Sequence, residues 1–235
     1  MIQTILAKNP QPWTVHSVLT QGYGNILWQT DKSACVVVSN YYFLEGPFEI
    51  SLAEKLAEHI RHDAIITSSN KAWHDYLIQK NNCLKRITRR LYIWNNHPEK
   101  LAPYLSQTKY VIKNISEKEA EKMLQKEWSK DVFNSYEGID DFLQRGFGFC
   151  ITEKEKIISA CLSFSHSDYG IEVEIDTDPD YQKKGLAKIV AAYFVNEALK
   201  RELKPLWDAS NSASAKIAEA LGFNFISEYE ALWWE

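Results

Sequence analysis

Residues 170–223 constrain the fold more than any other part of the 235-residue chain. They read G-I-E-V-E-I-D-T-D-P-D-Y-Q-K-K-G-L-A-K-I-V, then P-L-W-D-A-S-N, then S-A-S-A-K-I-A-E-A-L-G-F. Ile171, Val173 and Ile175 alternate with Glu172, Glu174 and Asp176, the two-residue period of a half-buried strand. Asp178-Pro179-Asp180 ends it, because proline has no N–H to give to a ladder. A helical period follows, with Leu186, Ile189, Val190, Tyr193 and Phe194 on one face and Pro205 as its stop. Leu206-Trp207-Asp208-Ala209 reads as a short strand. Asn211 and Ser212 are N-cap residues for a helix carrying Ala213, Ile217, Ala218 and Leu221. Gly222 closes that helix in the left-handed conformation, with Phe223 packing behind it.

Between the first strand and its helix lies Gln182-Lys183-Lys184-Gly185-Leu186-Ala187. The first N–H groups of a helix have no intrahelical partner and point outward at the positive end of the dipole. A phosphate accepts them where no bulky side chain blocks its approach. Gly185 and Ala187 are the smallest residues available, two apart at the helix mouth. Taken alone, the same residues also describe an ordinary helix start eased by a glycine.

The order of strand, small-residue turn, helix, strand, Asn-capped helix and Leu-Gly-Phe resembles the core of the GNAT superfamily of acyl-CoA-dependent N-acyltransferases. The resemblance is specific over residues 147–234 and extends back to about residue 109. There Tyr110-Val111-Ile112 opens a strand, and Ser116 with Glu119 makes a capping box for a helix to about Lys126. Tyr136 to Arg145 is a second helical stretch, ended by Gly146. Phe147 to Thr152 and Ile157 to Phe164 form two apolar strands around the charged turn Glu153-Lys154-Glu155-Lys156.

The fold class expected is α/β in the α+β sense. A mixed, mostly antiparallel GNAT-like sheet with flanking helices, residues 106–235, follows a smaller N-terminal α/β domain, residues 1–105. In that first part, Asn25 to Gln29 and Ala34 to Ser39 read as a β-hairpin around Thr30-Asp31-Lys32-Ser33. Ser51 with Glu54 suggests a second capping box. Ala64–Thr67 and Leu91–Trp94 look like strands, Ala72–Gln79 like a helix, and Lys100–Lys109 like a linker. The zwittermicin-resistance-type branch of the superfamily also carries an N-terminal α/β half, and the aromatic run Tyr42-Phe43-Leu44-Glu45-Gly46 fits that layout. Residues 1–105 are expected to contribute to the acceptor site.

The resemblance implies transfer of an acetyl group from acetyl-CoA to an amine. Backbone amides over Gln182, Lys183, Lys184, Gly185, Leu186 and Ala187 would hold the pyrophosphate. The edge at Val173 and Ile175 would pair with the pantetheine arm and offer an N–H to the thioester oxygen as it becomes an oxyanion. Asn211 matches the family's asparagine near the pantetheine, and Ser214 stands where a hydroxyl could touch the cofactor. Glu172 and Glu174 share one face about 7 Å apart. Either could take the proton an amine must lose before it attacks. Family members carry such a glutamate shortly before the phosphate turn, which favours Glu172. The competing reading makes both the solvated face of a half-covered sheet; Asp176, near the strand end, is read as serving the turn. Many family members place a tyrosine acid four residues before the glycine of Leu-Gly-Phe; here that position is Ala218. The departure keeps a second function open, a non-catalytic acyl-CoA-binding or regulatory protein.

Charge and composition narrow the rest. A net charge of −4 and a pI near 5.9 argue against a nucleic-acid partner. The one basic cluster, Lys-Arg-Ile-Thr-Arg-Arg at 85–90, reads as a solvated strand face. No apolar run approaches the ~18 residues a membrane span needs, and Met1-Ile2-Gln3-Thr4 has no signal-peptide character. Cys35, Cys83, Cys150 and Cys161 lie far apart among apolar neighbours, as expected of buried thiols in a reducing cytoplasm. His59, His62 and His74 lack the spacing of a metal site. The acceptor expected is a small-molecule amine, a metabolite or an amine-bearing antibiotic.

Overall fold

The computed structural model describes residues 1–107 and 109–235. The chain forms two compact units, residues 1–89 with 228–235, and residues 90–227.

In the first unit, α1 (Ile2–Leu6) and α2 (Pro12–Gln21) precede the strands β1 (Asn25–Gln29) and β2 (Ala34–Val38). These two form the expected antiparallel hairpin, with Asn25 opposite Val37 and Gln29 opposite Ala34. Thr30 closes its turn, accepting the Ser33 N–H at 2.9 Å on its own hydroxyl. β3 (Tyr41–Glu45), α3 (Ile50–His59) and β4 (Ile65–Thr67) make a parallel crossover, Tyr41 lying opposite Ile65. α3 begins before Ser51. Its N-cap is Glu49, held by the Ser33 hydroxyl at 2.9 Å, while Phe48 packs edge-on against Trp73. Tertiary anchoring of residues 48–49 therefore overrides the local capping signal.

α4 (Lys71–Lys80) is capped by the Asn70 side chain, and β5 (Leu84–Trp94) takes in the whole basic cluster. Lys85 and Arg86 face solvent there, but Arg89 is buried, stacked over the Tyr41 ring and donating to its hydroxyl at 3.1 Å. A guanidinium tolerates burial where an aromatic face and an oxygen receive it. His59 turns back onto the Lys55 carbonyl, His62 is exposed beside Asp63, and His74 is buried against Glu230. Trp28, Leu44, Leu56, Ile66, Trp73 and Leu232 form the centre of this unit's core.

The second unit begins at Arg90, so the boundary read at residue 105 falls inside it. Most of the supposed linker is helix. α5 (Pro98–Leu105) starts on a proline, buries Leu101 and gives the Leu105 carbonyl to the Tyr193 hydroxyl. Thr108, also in that segment, lies outside the described residues. β6 (Val111–Asn114) and α6 (Glu117–Leu124) follow. Ser116 is the N-cap, but its hydroxyl donates to the Glu119 carboxylate and makes no bond to the helix backbone.

α7 (Ile139–Arg145) is shorter than the sequence suggested, because Tyr136 is drawn into the interior, its hydroxyl 2.9 Å from the Ser163 carbonyl. β7 (Gly148–Glu153), β8 (Lys156–Ser167) and β9 (Gly170–Thr177) form an antiparallel meander. A 3-10 turn at Pro179–Tyr181 leads to α8 (Leu186–Lys200), then β10 (Pro205–Ala209), α9 (Ser212–Leu221) and β11 (Phe223–Trp234).

α8 stops before Pro205. Glu202 takes a left-handed φ of 60°, and the Leu203 N–H reaches back to the Ala198 carbonyl at 2.9 Å, a Schellman-type end without glycine. From this unit's part of β5 the order runs β5-β10-β9-β8-β7-β6, antiparallel except for the β10/β9 pair. Val190, Ala191, Phe194 and Val195 of α8 pack with Ile171 and Trp207 in its core.

Candidate functional site

The parallel strands β9 and β10 touch at one end only. Pro205 lies opposite Ile171 and Leu206 opposite Glu172, and among the described residues no further pair joins them. Gly170 makes the contact possible. Its φ is +146°, and a Cβ there would lie 2.1 Å from the Lys204 carbonyl oxygen, an approach that only glycine permits. Beyond Glu172 the strands part. Val173–Thr177 stays paired to β8, and Leu206–Ala209 to β5. A strand edge in the interior of a sheet is thereby left open, the kind of template that an extended ligand can join.

The mouth of α8 lies beyond the open end of this fork. Lys183 and Gly185 both adopt left-handed φ, 61° and 80°. Among the described residues, none of the N–H groups of Lys183, Lys184, Gly185, Leu186, Ala187 and Lys188 donates a hydrogen bond. A Cβ on Gly185 would meet no atom within 4 Å. Its glycine is therefore a matter of backbone conformation, and the space beside it is free. Consecutive unspent amides at a helix N-terminus suit an anion. Gln182 reaches back to the Thr177 carbonyl at 3.4 Å, and Lys184 crosses the Tyr181 ring to the Asp180 carbonyl at 2.9 Å.

On β9, Ile171, Val173 and Ile175 pack towards α8, which puts Glu172, Glu174 and Asp176 on the opposite face. That face is not uniformly solvated. Glu172 is only 6% exposed and accepts from the Ser165 hydroxyl at 3.4 Å; Glu174 is half-buried. Asp176 reaches water, yet protein crowds its carboxyl enough that desolvation pushes it up to about 6. The turn belongs to Asp178, which accepts the Asp180 N–H at 3.0 Å and pairs with Lys156 at 2.8 Å. Desolvation opposes ionisation of Asp178, and the Lys156 bond, the Asp180 N–H and the charges of Lys156 and Lys126 together outweigh it, holding the carboxyl below its usual range.

At the second helix mouth, Asn211 caps α9 by accepting the Ser214 N–H at 2.9 Å. The Ser214 hydroxyl accepts from the Trp207 indole at 2.9 Å, a partner nothing in the local sequence announced. Ala218 is fully buried, and its neighbour in sequence, Glu219, accepts from the Tyr92 phenol at 2.9 Å. Among the described residues no three side chains come together as metal ligands, and no helix is long and apolar enough to cross a membrane. Of the four free cysteines, Cys35, Cys150 and Cys161 are buried and Cys83 is exposed, contrary to the expectation for it.

Comparison with known proteins bears on this geometry. A family model described as GNAT acetyltransferase matches residues 4–232. The uncharacterized N-acetyltransferase YdfB of Bacillus subtilis is 26% identical over 97% of this chain and 92% of its own length. The ribosomal protein bS18-alanine N-acetyltransferase of Escherichia coli is 32% identical, over 41% of this chain and 64% of that protein. A crystal structure of a GCN5-related N-acetyltransferase-like protein from Streptococcus suis superposes with a TM-score of 0.89 at 28% identity. The match covers 100% of this chain and 97% of that one.

Proposed function

The chain belongs to the GNAT acetyltransferase family, and from that premise we propose that it moves the acetyl group of acetyl-CoA to the primary amine of a small molecule. The observation that carries this reading is the fork between β9 and β10, with unspent amides beyond its open end and a buried carboxylate at its vertex. Acetyl-CoA, the family's cosubstrate, supplies the acetyl group as a thioester.

The amides from Lys183 to Ala187, with Gln182 at the start of the turn, hold the pyrophosphate. The open edge at Val173 and Ile175 pairs with the pantetheine arm. Asn211 fixes the mouth of α9, and Ser214, which accepts from Trp207 on one lone pair, keeps its proton to donate to the cofactor. Glu172 takes the proton from the acceptor's ammonium and releases it to water, with Glu174 next along the same face. An amine-bearing antibiotic or metabolite is the acceptor class proposed, because an α/β half precedes the core as in the zwittermicin-resistance-type branch. A cytoplasmic setting is proposed with it, supported by the four unbridged thiols, three of them buried.

The test is release of free CoA thiol from acetyl-CoA against a panel of amines. Turnover with a small polyamine or aminoglycoside-like amine supports the reading. Turnover confined to an alanine-terminated peptide would replace it with protein N-terminal acetylation.

A further inference from the structure

The ladder between β8 and β9 breaks its register at one place. Ser163 lies opposite Val173 and His166 opposite Ile171, so Phe164 and Ser165 together face the single residue Glu172. A two-against-one bulge turns a side chain out of the simple alternation of the strand, and such bulges recur beside active sites. Here the bulge sits directly across from the vertex of the fork, since Glu172 is also the last residue of β9 paired to β10. Ser165 is 2% exposed, and its hydroxyl donates to Oε2 of Glu172 at 3.4 Å.

We propose that Ser165 is a positioning residue for Glu172, its hydroxyl orienting the carboxylate at the fork and stabilising its charged form. This rests on the reading of Glu172 as the proton acceptor. Two effects compete at a carboxylate with so little access to water. Burial disfavours its charge, while a hydroxyl donating to it favours that charge. A regular strand would leave the residue opposite Glu172 locked into the ladder's alternation, whereas the bulge adds a second residue whose hydroxyl is turned onto the carboxylate. A serine is small enough for that space and brings a single donor. It does not touch the acceptor; its effect passes through Glu172.

The test reads the carboxyl itself, in the full chain labelled with 13C at the glutamate side-chain carboxyl. The Glu172 resonance is assigned by its loss in Glu172→Gln. The titration midpoint should rise by at least half a pH unit in Ser165→Ala. Ser165→Cys fills the same space but donates weakly, so it should behave as the alanine variant does. A midpoint unmoved in folded Ser165→Ala, or a cysteine variant that titrates like wild type, overturns the proposal. Thiol release with putrescine, tyramine and an alanine-terminated peptide adds the kinetic arm. The acid limb of kcat/KM should move to higher pH by the same amount as the midpoint, with acetyl-CoA affinity unchanged. An acid limb that keeps the midpoint of the Glu172 carboxyl in Glu172→Gln, apart from the higher limb of the amine itself, overturns the base reading instead, and the two failures appear in different measurements.

Discussion

At the scale of single residues, the chemistry proposed at the fork turns on positions the local pattern marked and the structure distinguished. Gly185 holds φ +80° with free space where a side chain would project. Gly185→Glu should both strain the turn and set a carboxylate among the amides. Affinity for CoA should fall at least tenfold, about 1.4 kcal/mol. Calorimetry on the folded variant checks it, and unchanged affinity would remove the pyrophosphate from this turn. Glu172, Glu174 and Asp176 look equivalent in sequence, but only Glu172 is buried. Glu172→Gln should leave acetyl-CoA binding intact and lower turnover about 10²-fold or more. Glu174→Gln and Asp176→Asn serve as its comparisons, and a larger loss in either would move the role along the strand.

At the scale of elements, α9 lacks what many relatives carry on it. Ala218 is fully buried and has no proton to give. The CoA thiolate, with a pKa of about 8.5, is a tolerable leaving group without help. kcat/KM should therefore rise as base and amine deprotonate and then stay level to about pH 10, with no alkaline limb from a phenol. A bell-shaped profile would show an acid supplied from elsewhere.

α4 carries a different pH dependence. Burial holds His74 below its usual 6.5, opposed by its contact with Glu230, and its Nε2 has no partner among the described residues. Glu230 and Asp75 face it with Arg86, which bridges both carboxylates. The unfolded chain then binds the extra proton more readily than the folded one. The contribution of His74 is complete above pH 6.5 and is lost as pH falls below it. Thermal unfolding of His74→Gln beside wild type from pH 5 to 8 should show the difference shrinking or reversing on the acid side. A constant difference would contradict the linkage.

At the scale of the whole molecule, the chain's own route decides what can be separated. β5 contributes residues 84–89 to one unit and 90–94 to the other, and β11 is divided in the same way at 227 and 228. Leu91, Tyr92 and Ile93 are the antiparallel partners of Asp208, Trp207 and Leu206. A fragment of residues 106–235 loses those partners and the whole of α5, so it should not fold. Residues 90–227 keep both, and should give the cooperative melt and dispersed amide spectrum that the shorter cut lacks. A well-folded 106–235 fragment would restore the boundary read from the linker at 100–109.

What the sequence determined by itself is local. The strand at β9, the small residues before α8, the Asn211 cap and the left-handed Gly222 each follow from a few neighbouring residues, and each is present. The GNAT core was legible for the same reason, since its signature is a series of such short-range features in order. What only the tertiary structure decided depends on residues far apart in the chain. Pro98–Leu105 is a helix because Leu101 and Tyr193 give it something to pack against. α7 begins late because Tyr136 is claimed by Ser163, and Arg89 is buried because Tyr41 receives it. The fork exists because a carbonyl at Lys204 closes on Gly170, and Glu172 is singled out from Glu174 by a bulge in a neighbouring strand. Strand pairing and burial are set between distant segments, and no window along the chain contains both partners.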